Sequence, residues 1–200
     1  AEFASYIKIV KTDAETGKVI PYSGAGFQIY DTDGNLITMK YTYPEVTETD
    51  TFYTNDDGYL ITPEKLKYGK GYSLVEIQAP YGYVLNSEPI YFDVMQEQSG
   101  DENEISVIRV ERPNTAQKGK ISIQKTGDIF ARVNRTSFAY TDENGNLIEK
   151  PTTYTPVFDT GNLAGAVFKV IAAEDIITPD GTVRVTAGDV AAEITTDENG

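Results

Sequence analysis

The chain has 200 residues, with 14 Tyr, 8 Phe and an apolar fraction of 40%, enough for one large or two ordinary domains with a real core. Its formal net charge is −14, so a polyanion such as nucleic acid meets repulsion at nearly every approach and no cationic patch invites a membrane surface. Neither Cys nor His occurs, which removes disulfides, thiolate nucleophiles, zinc–thiolate sites and His-based triads; no cofactor or metal is expected, and a turnover enzyme is disfavoured.

Residues 1–5 read as a remnant of processing or cloning, since no charged-then-apolar leader opens the chain. No apolar run approaches the roughly 20 residues needed to cross a bilayer. From there, short period-two alternations recur between Asp/Asn/Gly turns, the signal of hairpins. Tyr6-Ile7-Lys8-Ile9-Val10-Lys11 is the first, Gly26-Phe27-Gln28-Ile29-Tyr30 the second. Tyr72-Ser73-Leu74-Val75-Glu76 and Ile105-Ser106-Val107-Ile108-Arg109-Val110 follow. Asp33-Gly34-Asn35, Asp57-Gly58, Asn144-Gly145 and Asp180-Gly181 supply turns where positive φ is cheapest. Pro63–Leu66 and Ala172–Asp175 are at most helical turns. An antiparallel all-β sandwich is predicted.

The chain repeats itself. Ile7-Lys8-Ile9-Val10-Lys11-Thr12 returns as Ile121-Ser122-Ile123-Gln124-Lys125-Thr126, and Ser23-Gly24-Ala25-Gly26-Phe27 as Ala164-Gly165-Ala166-Val167-Phe168. Thr54-Asn55-Asp56-Asp57-Gly58 returns as Thr196-Asp197-Glu198-Asn199-Gly200. The expected organisation is a complete module over 6–116 and the first part of a second over 117–200. The second contains an insertion over about 129–160, read as an extra hairpin or long loop.

Strand parity selects unusual positions. Lys11 shares a face with Ile7 and Ile9, and Lys125 with Ile121 and Ile123, so each is either a snorkelling edge residue or a buried amine of lowered pKa. Glu76 shares a face with Tyr72 and Leu74. A buried carboxyl tends to stay protonated, so Lys11 and Glu76 form either a neutral amine beside a neutral acid or a salt bridge that ties two strands. Other signals are weaker. Asp31-Thr32-Asp33-Gly34-Asn35 has the outline of a calcium loop but lacks the EF-hand spacing and distal Glu, and reads as a turn. Asn134-Arg135-Thr136 fits a glycosylation triplet of a kind common by chance, and Tyr41-Thr42-Tyr43-Pro44 reads as a strand with aromatic cross-strand pairs.

Lys11-Thr12-Asp13, the small-residue run before Phe27 and Val75-Glu76-Ile77-Gln78-Ala79-Pro80-Tyr81-Gly82-Tyr83 resemble the landmarks of Cna B-type, SpaA-like pilin domains of Gram-positive surface proteins. The resemblance implies a prealbumin-like sandwich in which a first-strand Lys is joined to a last-strand Asn or Asp by an autocatalytic isopeptide bond, assisted by the motif Glu. Carried over, Lys11 is the nucleophile and Glu76 the proton relay. For the acceptor, Asn114 and Glu111 both stand near the end of the last strand. Asn114 is in phase with Ile108 and Val110 across Pro113 and is chosen; Glu111 is in phase with Val107 and Arg109. Lys125 would be the second module's lysine, unpaired within this sequence. The expected function is a stalk or spacer, extracellular and attached to the cell wall through other parts of its parent, whose partners are neighbouring domains of the same protein. The alternative is an adhesin module whose loops, above all the 129–160 insertion, contact a host or matrix protein or glycan.

Overall fold

The computed structural model describes residues 3–95 and 107–200. Two compact units emerge: Ala1–Gly119 with Asp175–Thr186, and Lys120–Glu174 with Ala187–Gly200. Among the described residues there is no helix; both candidate helical turns are bends.

The first unit is a sandwich of two four-stranded sheets. One contains β1 (Ala4–Asp13), flanked by β6 (Tyr59–Ile61) and β10 (Val107–Asn114), with β7 (Leu66–Lys67) also pairing β1. The other runs in the order β5 (Phe52–Tyr53), β2 (Gly26–Tyr30), β8 (Gly69–Gln78), β9 (Ile90–Val94). A small hairpin of β3 (Met39–Tyr41) and β4 (Thr47–Thr49) joins β2 to β5. The predicted stretches at residues 6–11, 26–30 and 72–76 all fall in strands; Ile105 and Ser106 of the fourth lie outside the described residues. One pairing departs from the antiparallel expectation. β1 and β10 run parallel, with Ile7 opposite Ile108, Ile9 opposite Val110 and Asp13 opposite Asn114.

Alternation decides what enters the core. Ile7 and Ile9 of β1, Phe27 and Ile29 of β2, Leu74 of β8 and Ile108 and Val110 of β10 are buried between the sheets with Phe52 and Val94. Replacing a side chain such as Phe27 by Ala would cost about 3–5 kcal/mol. At Gly58 (φ +80°) a Cβ would stand 2.0 Å from the Ile20 carbonyl oxygen, and the same glycine's own carbonyl accepts the Lys11 amide at 2.9 Å. No other residue both adopts that φ and permits this close approach. The calcium-like loop is a turn capped by Asp31, whose Oδ1 accepts the amides of Asp33 and Asn35.

A hairpin of β14 (Ile176–Ile177) and β15 (Val183–Val185) also belongs to the first unit, although it is encoded within the second repeat.

The second unit contains β11 (Thr126–Thr141), β12 (Leu147–Asn162), β13 (Val167–Ile171) and β16 (Val190–Thr195), paired as β11–β12 and β13–β16. The sequence repeat recurs as a repeat of hydrogen bonds. In the first copy the Ala25 amide donates to Thr54 Oγ1 and the Thr54 amide to the Ala25 carbonyl; Ala166 and Thr196 do the same in the second. The Lys11 amide donates to Gly58 and its carbonyl accepts from Ile20, just as Lys125 does with Gly200 and Leu163. Thr12 bridges Val19 across a short turn, where Thr126 faces Asn162 at the base of the β11–β12 ribbon. The insertion is therefore this first turn drawn out into two 16-residue strands.

Residues 121–125 do not form the expected strand, and Lys125 is exposed. In the first copy the equivalent stretch is paired on one side by β10 and on the other by β6; among the described residues no strand pairs with 121–125. Only Ala172, Thr196 and Gly200 of the second unit are buried, so it has little core of its own.

Candidate functional site

Three polar side chains converge inside the first unit. Lys11 from β1, Glu76 from β8 and Asn114 from β10 are each essentially fully buried. Each is there for the same reason: it occupies the inward phase of a strand whose other inward residues are apolar. Lys11 Nζ donates to Asn114 Oδ1 and, at 2.7 Å, to the Arg112 carbonyl. Asn114 Nδ2 donates to Glu76 Oε1 at 2.8 Å and to the Val84 carbonyl at 2.9 Å. Glu76 Oε2 stands 3.5 Å from Lys11 Nζ. The Phe27 ring lies 5.7 Å from the same nitrogen and excludes water on that side.

Burial dominates the electrostatics. It brings the Lys11 amine down from 10.5 to about 8, even though the Glu76 carboxyl pulls the other way. It pushes the Glu76 carboxyl above its ordinary value against the opposing influence of Lys11 and the Asn114 hydrogen bond. Both shifts run in the direction of moving the proton from ammonium to carboxylate, a transfer that removes both buried charges. Among the described residues Glu76 Oε2 accepts no hydrogen bond, which leaves it available to carry a proton.

Glu111, the alternative acceptor, is exposed and paired with Arg109 at 2.8 Å, away from Lys11. Lys125 meets neither a carboxylate nor an amide equivalent to Glu76 and Asn114 in the second unit. Two contributors escaped the sequence reading. Arg112 is buried, its Nη2 donating to the carbonyls of Asn86 and Glu88 and its Nε 3.8 Å from Glu76 Oε2; its parity with Val110 and Asn114 was the available signal. Val84 contributes through its backbone carbonyl alone, which leaves no mark in side-chain pattern.

Beside this cluster lies a second polar group. Asp13, two residues beyond Lys11, accepts from the Tyr83 hydroxyl at 2.9 Å and from the amides of Glu15 and Thr16. Burial opposes its ionisation, but these hydrogen bonds outweigh it and hold the carboxyl below its ordinary value. Burial, reinforced by Asp13, pushes the Tyr83 hydroxyl well up.

A buried Lys, Glu and Asn thus meet on three strands of an all-β, two-sheet sandwich. The chain belongs to the SpaA prealbumin-like fold domain family, whose model matches residues 5–109. No curated protein matches. Among solved structures it is similar to the full-length major pilin SpaD of Corynebacterium diphtheriae, 22% identical over 59% of this chain and 32% of that one, with a TM-score of 0.44. It is similar also to the minor pilin GBS52 of Streptococcus agalactiae, 15% identical over 62% and 49%, with a TM-score of 0.46. A mutant form of the shaft pilin spaA of Lactobacillus rhamnosus GG is 19% identical over 58% and 49%, with a TM-score of 0.39. The chain thus spans between about a third and a half of these pilins' lengths.

Proposed function

We propose that the chain is a structural stalk or spacer segment of a Gram-positive surface adhesin or pilin, hardened by an isopeptide bond between Lys11 and Asn114. The observation that carries this reading is the convergence of Lys11, Glu76 and Asn114 in a dry interior. The neutral Lys11 amine attacks the Asn114 side-chain carbonyl carbon while Glu76 donates its proton to the amide and then takes one from the attacking nitrogen. The C–Nδ2 bond breaks, and Nδ2 departs as ammonia, so one amide is exchanged for another with no redox change. Each molecule reacts once, which makes this maturation and not turnover. Membership of the SpaA-like family supports a place outside the cell, attached to the wall through the remainder of the parent protein and stacked against its neighbouring domains.

Intact mass of the denatured chain tests the reading. The expected result is a parent short by one ammonia, with Lys11→Ala, Glu76→Ala and Asn114→Ala at full mass. A parent at full mass would reduce Lys11 and Glu76 to a structural pair.

A second reading is favoured by one observation. The β11–β12 ribbon exposes aromatic side chains in two places: Phe130 edge-on to Phe158 with centroids 6.1 Å apart, and Phe138 beside Tyr140 at 6.0 Å with Lys150 over the Phe138 ring. Exposed rings with adjacent cations suit recognition of a host or matrix protein or glycan. Because the ribbon is an elongated turn, replacing it with the short Asp13-to-Lys18 turn should leave the rest of the chain folded. Retention on immobilised matrix proteins and glycans that is lost with the ribbon would support this reading; equal behaviour of both chains would remove it.

A further inference from the structure

The β14–β15 hairpin enters the first unit through a polar network that reaches the Lys11 strand. Arg184 Nη2 donates to Asp13 Oδ2 at 3.0 Å, Nη1 to Glu15 Oε2 at 2.9 Å and Nε to Thr178 Oγ1 at 3.0 Å. Asp180 accepts from the hydroxyls of Thr16, Thr178 and Thr182 at 2.6, 2.5 and 2.9 Å. Lys18 Nζ donates to Thr182 Oγ1 at 3.1 Å. Pro179 sits where a Cβ on Gly82 would meet it at 3.2 Å, and Gly82 also has φ +81°, so the Pro80-Tyr81-Gly82-Tyr83 turn is shaped to receive the hairpin.

This network is one step from the reacting atoms. Asp13 lies opposite Asn114 in the parallel ladder, and the Ala14 amide donates to the Asn114 carbonyl at 2.8 Å. Asp13 also holds the Tyr83 hydroxyl. Tyr83 precedes Val84, whose carbonyl accepts from Asn114 Nδ2, the atom that leaves as ammonia, and whose amide is tied to the Thr115 carbonyl at 2.9 Å.

We infer that the β14–β15 hairpin is a clasp, and that Arg184, acting through Asp13 and Tyr83, is a positioning residue for the Lys11–Asn114 cross-link. The inference rests on the cross-linking reading above. Arg184 neutralises and fixes Asp13; Asp13 fixes both the end of β1 and the Tyr83 turn. Together these aim the Asn114 amide so that its oxygen faces Lys11 and its nitrogen is held between Glu76 and Val84. Arginine suits the task because one planar fork reaches Asp13, Glu15 and Thr178 at once, which a lysine cannot do. A segment of the second repeat therefore completes the reaction centre of the first.

The test follows the mass of the full chain at intervals after cell-free synthesis, for the parent, Arg184→Ala, Arg184→Lys and Tyr83→Phe, with near-UV circular dichroism and amide exchange on each. Arg184→Ala is expected to slow ammonia loss about tenfold, the kinetic equivalent of one charge-assisted hydrogen bond. Arg184→Lys should recover part of the rate. Tyr83→Phe, which removes one hydroxyl and little volume, should slow it with the fold intact. If Arg184→Ala loosens residues 175–186 in exchange yet cross-links at the parental rate, the clasp is only structural and the positioning role is overturned. If the parent never loses ammonia, the cross-linking reading itself fails and the positioning role falls with it; the two failures differ in which chain retains full mass.

Discussion

A single inward lysine sets the chemistry of the first unit. Water would keep Lys11 charged, but the β1 alternation places it behind Ile7 and Ile9, where desolvation lowers its pKa to about 8. This carries a pH signature in Asn114→Ala, where the amine stays free. Between about pH 8 and 10.5 the unfolded chain binds the Lys11 proton and the folded chain does not, so stability rises with pH across that window. Below about pH 8 both states hold the proton, and the burial penalty is fully present. Thermal midpoints of Asn114→Ala, compared with a Lys11→Met, Asn114→Ala double variant, should diverge with that sign; superimposable profiles would show that Lys11 is not desolvated.

At the scale of elements, what could be read in advance follows from what alternation encodes. Period two assigns a residue to a face, and that was enough to turn Lys11, Glu76 and Asn114 inward and Glu111 outward, even across Pro113. It does not name a partner strand. The parallel β1–β10 pairing joins stretches about a hundred residues apart, and nothing in Tyr6–Lys11 distinguishes a parallel neighbour from an antiparallel one. The same limit explains Ile121–Lys125, whose alternation equals that of β1 but which forms no strand, because alternation is realised only when a partner supplies the ladder. The home of the β14–β15 hairpin was equally hidden. Its turn was legible in Asp180-Gly181, whereas its docking depends on Arg184, Thr16 and Asp180, polar residues that read as solvent-facing until their partners are known. Turns fared well because their chemistry is local: Asp31, Asn55 and Asp142 each cap their own loop through side-chain oxygens.

At the scale of the whole molecule, the placement of Lys11 and Asn114 near the ends of β1 and β10, the first and last strands of the first repeat, determines how much chain can be drawn out. They are 103 residues apart in sequence. Once linked, tension bypasses everything between them. Pulled to full extension, Lys11→Ala should therefore lengthen by about 350 Å more than the parent, at roughly 3.3–3.6 Å for each residue released. Single-molecule force spectroscopy that gave both chains the same extension would contradict the cross-link. Even without that bond, the parallel direction of β10 on β1 has a consequence. Load enters β1 from its Ala4 end and leaves β10 from its Asn114 end, so the two strands are dragged lengthwise past each other. All the ladder's rungs then resist together, in shear, where an antiparallel terminal pair would peel apart one rung at a time like a zipper.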